Sequence, residues 1–405
     1  MPHFDTGNTG FMLLATSLVM LMTPGLAFFY GGLVSRKNVL DVMMQSFVSM
    51  GWTSVLWYVC GYSLCFSGGE GGLVGNLDMA FFRGIDINSV FQPSNIPLWV
   101  FCAYQMMFAI ITPALITGAF TNRVRFVPYM IFLTVWLIFV YFPFVHMVWG
   151  KGLLAQWGVL DFAGGIVVHA IAGMAALASV FFVGRRRVLD RGPHSIPLVA
   201  LGTGLLWFGW YGFNAGSELA VDGVTAQAFI NTDTAASFAA ITWLAMAWIF
   251  EKKPKFVGLL TGSVAGLATI TPCAGFVTIH AAVLVGIISG VVCYGAIYYK
   301  NQHGWDDALD VWGVHGVGGV TGTILLGVFA SQAINPAVTV NGLAYGEYTF
   351  FLKQTAAVLG ASVYAFAFSY GALWAINKIT PVHTSAIEEE QGLDETIHGE
   401  NAYYL

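Results

Sequence analysis

DFAGGIVVH, residues 161–169, and DVWGVHGVGG, residues 310–319, decide how this chain is organised. Each stretch opens with an aspartate (Asp161, Asp310), passes through small residues and carries one histidine (His169, His315) within an apolar segment. An ionisable side chain at membrane depth is costly, and it marks a substrate path or a proton relay by default. One aspartate falls at the outer end of its segment and the other at the inner end. Two five-helix halves of opposite orientation would produce that mirror, with a site where the halves meet near the bilayer midplane.

The rest of the chain agrees with a membrane reading. Of 405 residues only 9% are charged while 57% are apolar, and the mean hydropathy is +0.73. A soluble domain carries about 25% charged residues. Apolar segments near the ~20 residues needed to span a bilayer recur from end to end. Runs such as 131–141 and 198–208 do not alternate, which excludes a barrel and leaves helices. Punctuation by charge, Pro and Gly predicts eleven spans: 8–33, 40–66, 97–120, 126–148, 162–184, 197–217, 227–250, 257–274, 279–299, 310–332 and 348–378. With the amino terminus outside, 13 Lys and Arg fall in cytoplasmic segments, Arg191 among them, and only Arg83, Lys151 and Lys353 fall outside. That bias sets the orientation: amino terminus out, carboxyl terminus in. The expected fold is an all-α membrane protein of eleven transmembrane helices, an inverted five-plus-five repeat followed by one long final helix.

Residues 1–378 then form the transmembrane domain and 379–405 an acidic cytosolic tail, whose plainest reading is a solvated end. Residues 67–96 are an external loop. No basic leader with a small-residue cleavage site is visible in the sequence, which leaves open a precursor already trimmed of one. The net charge of −5 and the lack of a basic stripe exclude a nucleic-acid partner. Five cysteines at no ligand spacing read as small core residues, and neither a metal set nor a nucleophile for an intramembrane enzyme is evident.

Glycines beside His169 and His315 allow close helix approach, so that the imidazoles can share one proton. The competing reading is a plain helix-to-helix hydrogen bond. His146 and the other histidines fall at span ends, in loops or in the tail and read as interfacial or solvated. Asp161 reads both as the cap of span five and as an attraction for a cation at an external vestibule. Three aromatic groups point to the outer face: YQMMF (Tyr104 to Phe108), HMVWG with Trp149, and GWYGFNAGS with Trp210, Phe213 and Ser217. They form either an interfacial girdle or a mouth whose rings attract a cation by about 0.5–2 kcal/mol.

PGLAFFYGGLVSRKNVL, QMMF, HMVWG, DFAGGIVVH, PHSIPL, GWYGFNAGS, GVHGVGG and GLDETIHGENAY occur in that order, and together they resemble the ammonium transporter family (Amt/Mep/Rh), on its bacterial Amt branch. The resemblance implies a homotrimer in the cell membrane, with one pore per subunit and ammonium or methylammonium as cargo. It implies no cofactor. It puts Phe108, Trp149 and Ser217 at an external ammonium site with Tyr104 beside them, where relatives often carry Phe. Phe108 and Phe213 become a gate, Trp210 a pore lining, Asp161 a structural acid, and His169 and His315 the twin histidines. The tail is similar to segments that dock PII-type regulators, although it lacks the glycine-leucine-arginine step common before them. An ammonium sensor signalling through the same tail is the alternative. The chemistry is consistent with such a cargo: a bare charge at the bilayer centre costs at least about 2.5–3.5 kcal/mol. Ammonium, with a pKa of about 9, sheds its proton at pH 7 for about 3 kcal/mol, a route closed to potassium.

Overall fold

The computed structural model describes residues 3–188 and 192–403; Arg191 and the last two tail residues lie outside them. Among the described residues eleven long helical segments alternate in direction. The first half holds α1 (Thr6–Leu33), α2 (39–66), α3 (Leu98–Phe120), α4 (126–149) and α5 (Gly165–Val183). The second holds α6 (Ile196–Ala215), α7 (Gly223–Glu251), α8 (Phe256–Ile270), α9 (Ile279–Gln302) and α10 (Trp312–Phe329). The final helix, α11, is Tyr348–Ile379. Nine of the eleven are long and apolar enough to cross a membrane by themselves. The 67–96 connection carries only a 3₁₀ turn and a two-strand ribbon, β1 (Val90–Phe91) against β2 (Ile96–Pro97).

Side-chain oxygens at the helix starts explain several boundaries. Asp5 accepts from the Asn8 N–H ahead of α1, and Thr278 accepts from Ala281 ahead of α9. Asp222 and Thr225 form a reciprocal capping box, so α7 begins at Gly223 rather than at the 227 expected from hydropathy. Span eight ends as helix at Ile270, because residues 271–276 turn through Pro272 and Gly275. Span five starts as helix only at Gly165, after a break at 161–164. Non-helical backbone at membrane depth survives only when the protein satisfies it. Here the two breaks meet: the Phe162 N–H donates to the Pro272 carbonyl at 3.2 Å, while the Asn231 amide donates to the Ala274 and Val277 carbonyls at 2.9 and 2.8 Å.

The halves close on each other through small residues. A Cβ added at Gly202 of α6 would lie 2.3 Å from the Phe29 nitrogen of α1, and one at Gly173 of α5 would lie 2.1 Å from the Gly316 Cα of α10. No side chain fits between backbones that close. On the outer surface, Phe229, Ile241 and Trp248 of α7 and Leu359 and Val363 of α11 are exposed, as expected of a face turned to lipid or to another copy.

The tail departs from the expected solvated end. It folds into α12 (Ala386–Gln391) and α13 (Leu393–His398), which sit against the cytosolic start of α2. The Asp394 carboxylate accepts from the Asp41 backbone N–H at 2.9 Å, and the Leu393 N–H donates to the Asn38 side chain at 2.8 Å. Arg125 pairs with Glu388 at 2.9 Å, and the His398 Nε2 contacts Asp41 at 3.1 Å. The acidic run is therefore an adhesive: it caps a helix and pairs cations that hydropathy alone counts only as topology signals.

Two predictions follow from this packing. Gly173→Leu should force α5 from α10 and lower stability by about 1–3 kcal/mol or more, read as the thermal unfolding of detergent-solubilised protein. The second concerns the tail. The hydrogen bond to Asp41, aided by the charges of Asp394 and Glu400, raises the His398 pKa above its ordinary value, while burial raises that of Asp394. Phe126 presents its ring to the other side of His398. A raised histidine pKa gives docking stability that is full below the free value near 6.5 and is lost as pH rises through the docked value. The Asp394 shift acts in the same sense at lower pH. Protease cleavage near residue 385 should accelerate as pH rises from 6 toward 8.5, and His398→Gln should flatten that dependence.

Candidate functional site

Three cavities lie in series through the fold. The outer one offers about 600 Å³ to water-sized molecules and is bordered by Phe101, Phe108, Trp149, Phe162 and Ser217. The inner one, about 190 Å³, is bordered by Arg186, Thr261, Asp310 and His315. Between them runs a narrow lumen of about 10 Å³, room for about one such molecule, walled by Met22, Leu26, Ile111, Leu206 and Val264 with His169, Trp210, Phe213 and His315. His315 borders both the lumen and the inner cavity.

Phe108 and Phe213 separate the outer cavity from the lumen, their rings stacked with centroids 4.2 Å apart. Trp149 stands edge-on to Phe108 at 5.8 Å, and its indole N–H donates to the Asp161 carbonyl at 2.8 Å, which ties the mouth to the start of α5. Ser217 hydrogen-bonds the Phe213 carbonyl at 2.9 Å. Tyr104, expected beside the cation, is fully buried behind these groups. Its hydroxyl lies 2.9 Å from both the Gly212 and Phe213 carbonyls and 3.2 Å from the Ser217 Oγ, so it braces the serine and is not among the residues bordering the outer cavity.

Below the phenylalanines, His169 stacks between Trp210 (5.5 Å) and His315 (5.2 Å). The Trp210 N–H is held by Thr271 at 2.9 Å. The two Nδ1 atoms lie 3.2 Å apart, a contact that requires one shared proton. With both rings neutral, one Nε2 is then a bare acceptor and the other an N–H donor. The His169 Nε2 has no partner among the described residues. Each histidine sits in a π-helical turn, Gly165–Ala170 and Trp312–Gly316, where the backbone bond steps five residues: Ile171 to Ile166, Val317 to Trp312. Such wide turns are rare and concentrate at functional positions.

Asp161 is buried, and its carboxylate accepts from four consecutive N–H groups, those of Gly164, Gly165, Ile166 and Val167, at 2.7–3.2 Å. Of its two expected roles, the capping one occupies its oxygens. Its counterpart is not Asp310, the expected mirror, but Asp307. That carboxylate accepts from Val311 and Trp312 at 3.1 and 2.8 Å ahead of α10. Asp310 instead pairs with Lys300 at 2.8 Å and has a φ of 60°. The spacing held the answer: Asp161 precedes His169 by the same eight positions as Asp307 precedes His315. In both halves the residue three after the capping aspartate takes a positive φ, 122° at Gly164 and 60° at Asp310. His146 is also corrected. It is fully buried, with its ring nitrogens 2.9 Å from the Cys65 and Gly69 carbonyls, and it anchors the external loop that walls the outer cavity.

A helical membrane fold with a narrow lumen between two cavities defines a transporter or channel for a small solute. The family described as Ammonium Transporter Family matches residues 10–403, and the chain belongs to that family as a multi-pass membrane protein. It is 43% identical to an ammonium transporter of Bacillus subtilis (strain 168) over 98% of both chains. It is 40% identical to the ammonium transporter Amt1 of Archaeoglobus fulgidus over 98% of this chain and 99% of that one. Among solved structures it resembles Saccharomyces cerevisiae Mep2 (33% identity, TM-score 0.88, covering 95% of this chain and 88% of that one). A structure named as a sensor Amt protein is similar at 29% identity and TM-score 0.88, covering 96% and 97%.

Asp307→Ala should leave two buried N–H groups unpaired and cost about 1–3 kcal/mol for each. Thermal unfolding should fall further for Asp307→Ala than for Asp310→Ala, the reverse of what pairing Asp310 with Asp161 would require.

Proposed function

We propose that this protein moves ammonium across the membrane as ammonia plus a separately relayed proton. The observation that carries the reading is the 3.2 Å Nδ1–Nδ1 contact beside a lumen about one molecule wide, between two larger cavities. The cation is recruited among Phe108, Trp149 and Ser217, where ring faces and a hydroxyl replace part of its water shell. The phenylalanine pair admits it only after the proton is given up, because carrying charge through the lumen costs at least as much as deprotonation. Ammonia then passes Trp210 and the imidazoles. When the bare Nε2 of one ring takes up a proton, the Nδ1 proton of that ring passes to the other Nδ1 and the second ring's Nε2 proton leaves, so the pair relays one proton with both rings neutral before and after.

Homotrimer formation is part of this proposal; the exposed apolar faces of α7 and α11 and the family resemblance support it. Residues 379–405 are proposed to be a regulatory element able to meet a PII-type protein. A sensor of the same fold is the second reading. The tail docked on α2 favours some signalling output, and likeness to a structure named as a sensor supports it.

Currents on solid-supported membranes bearing purified protein test the reading. Ammonium should give a current, methylammonium a smaller one and potassium none. A silent wild type would favour the sensor. His169→Ala should reduce the ammonium current at least tenfold or abolish its selectivity, and an unchanged current with unchanged selectivity would exclude a proton role for the pair. Trp149→Ala combined with Ser217→Ala should raise the half-saturating ammonium concentration; an unaltered concentration dependence removes that site from the mechanism.

A further inference from the structure

α3 presents one continuous stripe to the conduction path. Leu98, Phe101, Gln105 and Phe108 border the outer cavity, and Ile111 and Leu115 continue along the lumen. The spacing of three and four residues keeps all six on one helix face. Five of the six are apolar. Gln105 is not, yet it is only 9% exposed, and no hydrogen bond described among these residues reaches its carboxamide, which stays open to the cavity. A carboxamide sealed off without a partner would cost about 1–3 kcal/mol, where leucine would cost nothing. Its partner must come from the cavity it borders.

The chemistry of that cavity limits what the partner is. Glu70 and Lys151 pair with each other at its rim, and both are largely exposed. Deeper in, the polar side chain beside Phe108 and Trp149 is Ser217, whose hydroxyl already engages the Phe213 carbonyl and the Tyr104 hydroxyl. With its proton given to the Phe213 carbonyl, the serine keeps two lone pairs, one of them facing the Tyr104 hydroxyl, so it can take only one or two of the four N–H groups of a tetrahedral donor. Ring faces accept some of the others only weakly. A second neutral oxygen one turn above Phe108 answers the deficit without adding a charge that would also hold alkali ions.

We propose that the Gln105 carboxamide is an ammonium ligand of the outer cavity, its Oε1 accepting an N–H of the cation while its NH₂ group donates to cavity water. This rests on the reading that the outer cavity recruits ammonium, and it adds a discriminating residue to that site. Methylammonium offers three N–H groups and a methyl, so it depends less on the extra acceptor.

The test is a concentration series of ammonium and methylammonium currents for wild type, Gln105→Leu, Gln105→Glu and Ser217→Ala. Gln105→Leu should raise the half-saturating ammonium concentration about tenfold, the loss of one hydrogen bond to a charged donor, with an unchanged maximal current. The methylammonium value should move less than threefold. An unmoved ammonium value, an equal shift for both cations, or a fall in maximal current alone overturns the proposal, since a packing role would produce those. If Gln105→Leu does not assemble, Gln105→Glu decides by the difference between the cations: a larger fall in half-saturation for ammonium than for methylammonium supports the assignment, and an equal fall, which added charge alone would give, or a rise overturns it. Ser217→Ala separates the two failures. If it too leaves the dependence unmoved, the recruiting cavity itself is wrong; if it responds while Gln105→Leu does not, only the assignment of Gln105 falls.

Discussion

The contact between α5 and α10 sets the geometry on which the rest of the molecule depends. Gly173 and Gly316 bring two backbones so close that a methyl group would overlap a Cα, and that distance lets one imidazole from each half meet nitrogen to nitrogen. Helix packing in lipid has no hydrophobic force of its own and relies on such close approach. The π-helical turns add a second requirement. They carry His169 and His315, which both line the lumen, and a π turn persists only where neighbouring elements hold it.

What holds it is a pair of buried carboxylates acting on backbone. Asp161 and Asp307 each collect the N–H groups that a helix start leaves unsatisfied, at a depth where water is not at hand to do so. Negative charge at a helix amino terminus is also favoured by the helix dipole. With its oxygens taken up in this way, Asp161 fixes the start of α5, and the indole N–H of Trp149 rests on its carbonyl. The bland and the functional readings of this residue are therefore one: the cap is what places the mouth.

Along the path the surroundings change from wet to dry over a few residues of α3. The outer cavity has room for many water-sized molecules, whereas the lumen beneath the stacked phenylalanines has room for about one. A charge entering that constriction loses its hydration at a far larger cost than a neutral amine does. The docked tail belongs to the same economy of backbone groups: Asp394 does for the start of α2 what Asp161 and Asp307 do for α5 and α10.

Hydropathy, the segregation of Lys and Arg, and the repeated aspartate–histidine pattern by themselves determined the helical membrane class, the order of the spans and the paired histidines. Those signals are one-dimensional, because lipid imposes the same length and polarity on every span. The aromatic motifs pointed Phe108, Trp149, Phe213 and Ser217 toward one mouth for the same reason, since each motif lies in the outer part of its span. The tertiary structure decided what depends on direction and contact. Tyr104 turns away from the cavity because two carbonyls of α6 take its hydroxyl. Asp307 rather than Asp310 caps α10 because Lys300 engages the latter. His146 is buried because the Cys65 carbonyl at the end of α2 and the Gly69 carbonyl of the loop converge on it. The acidic tail folds because exposed N–H groups at the start of α2 await a carboxylate. No pattern of residue types along the chain records which way a side chain turns or which partner reaches it first; only packing in three dimensions settles that.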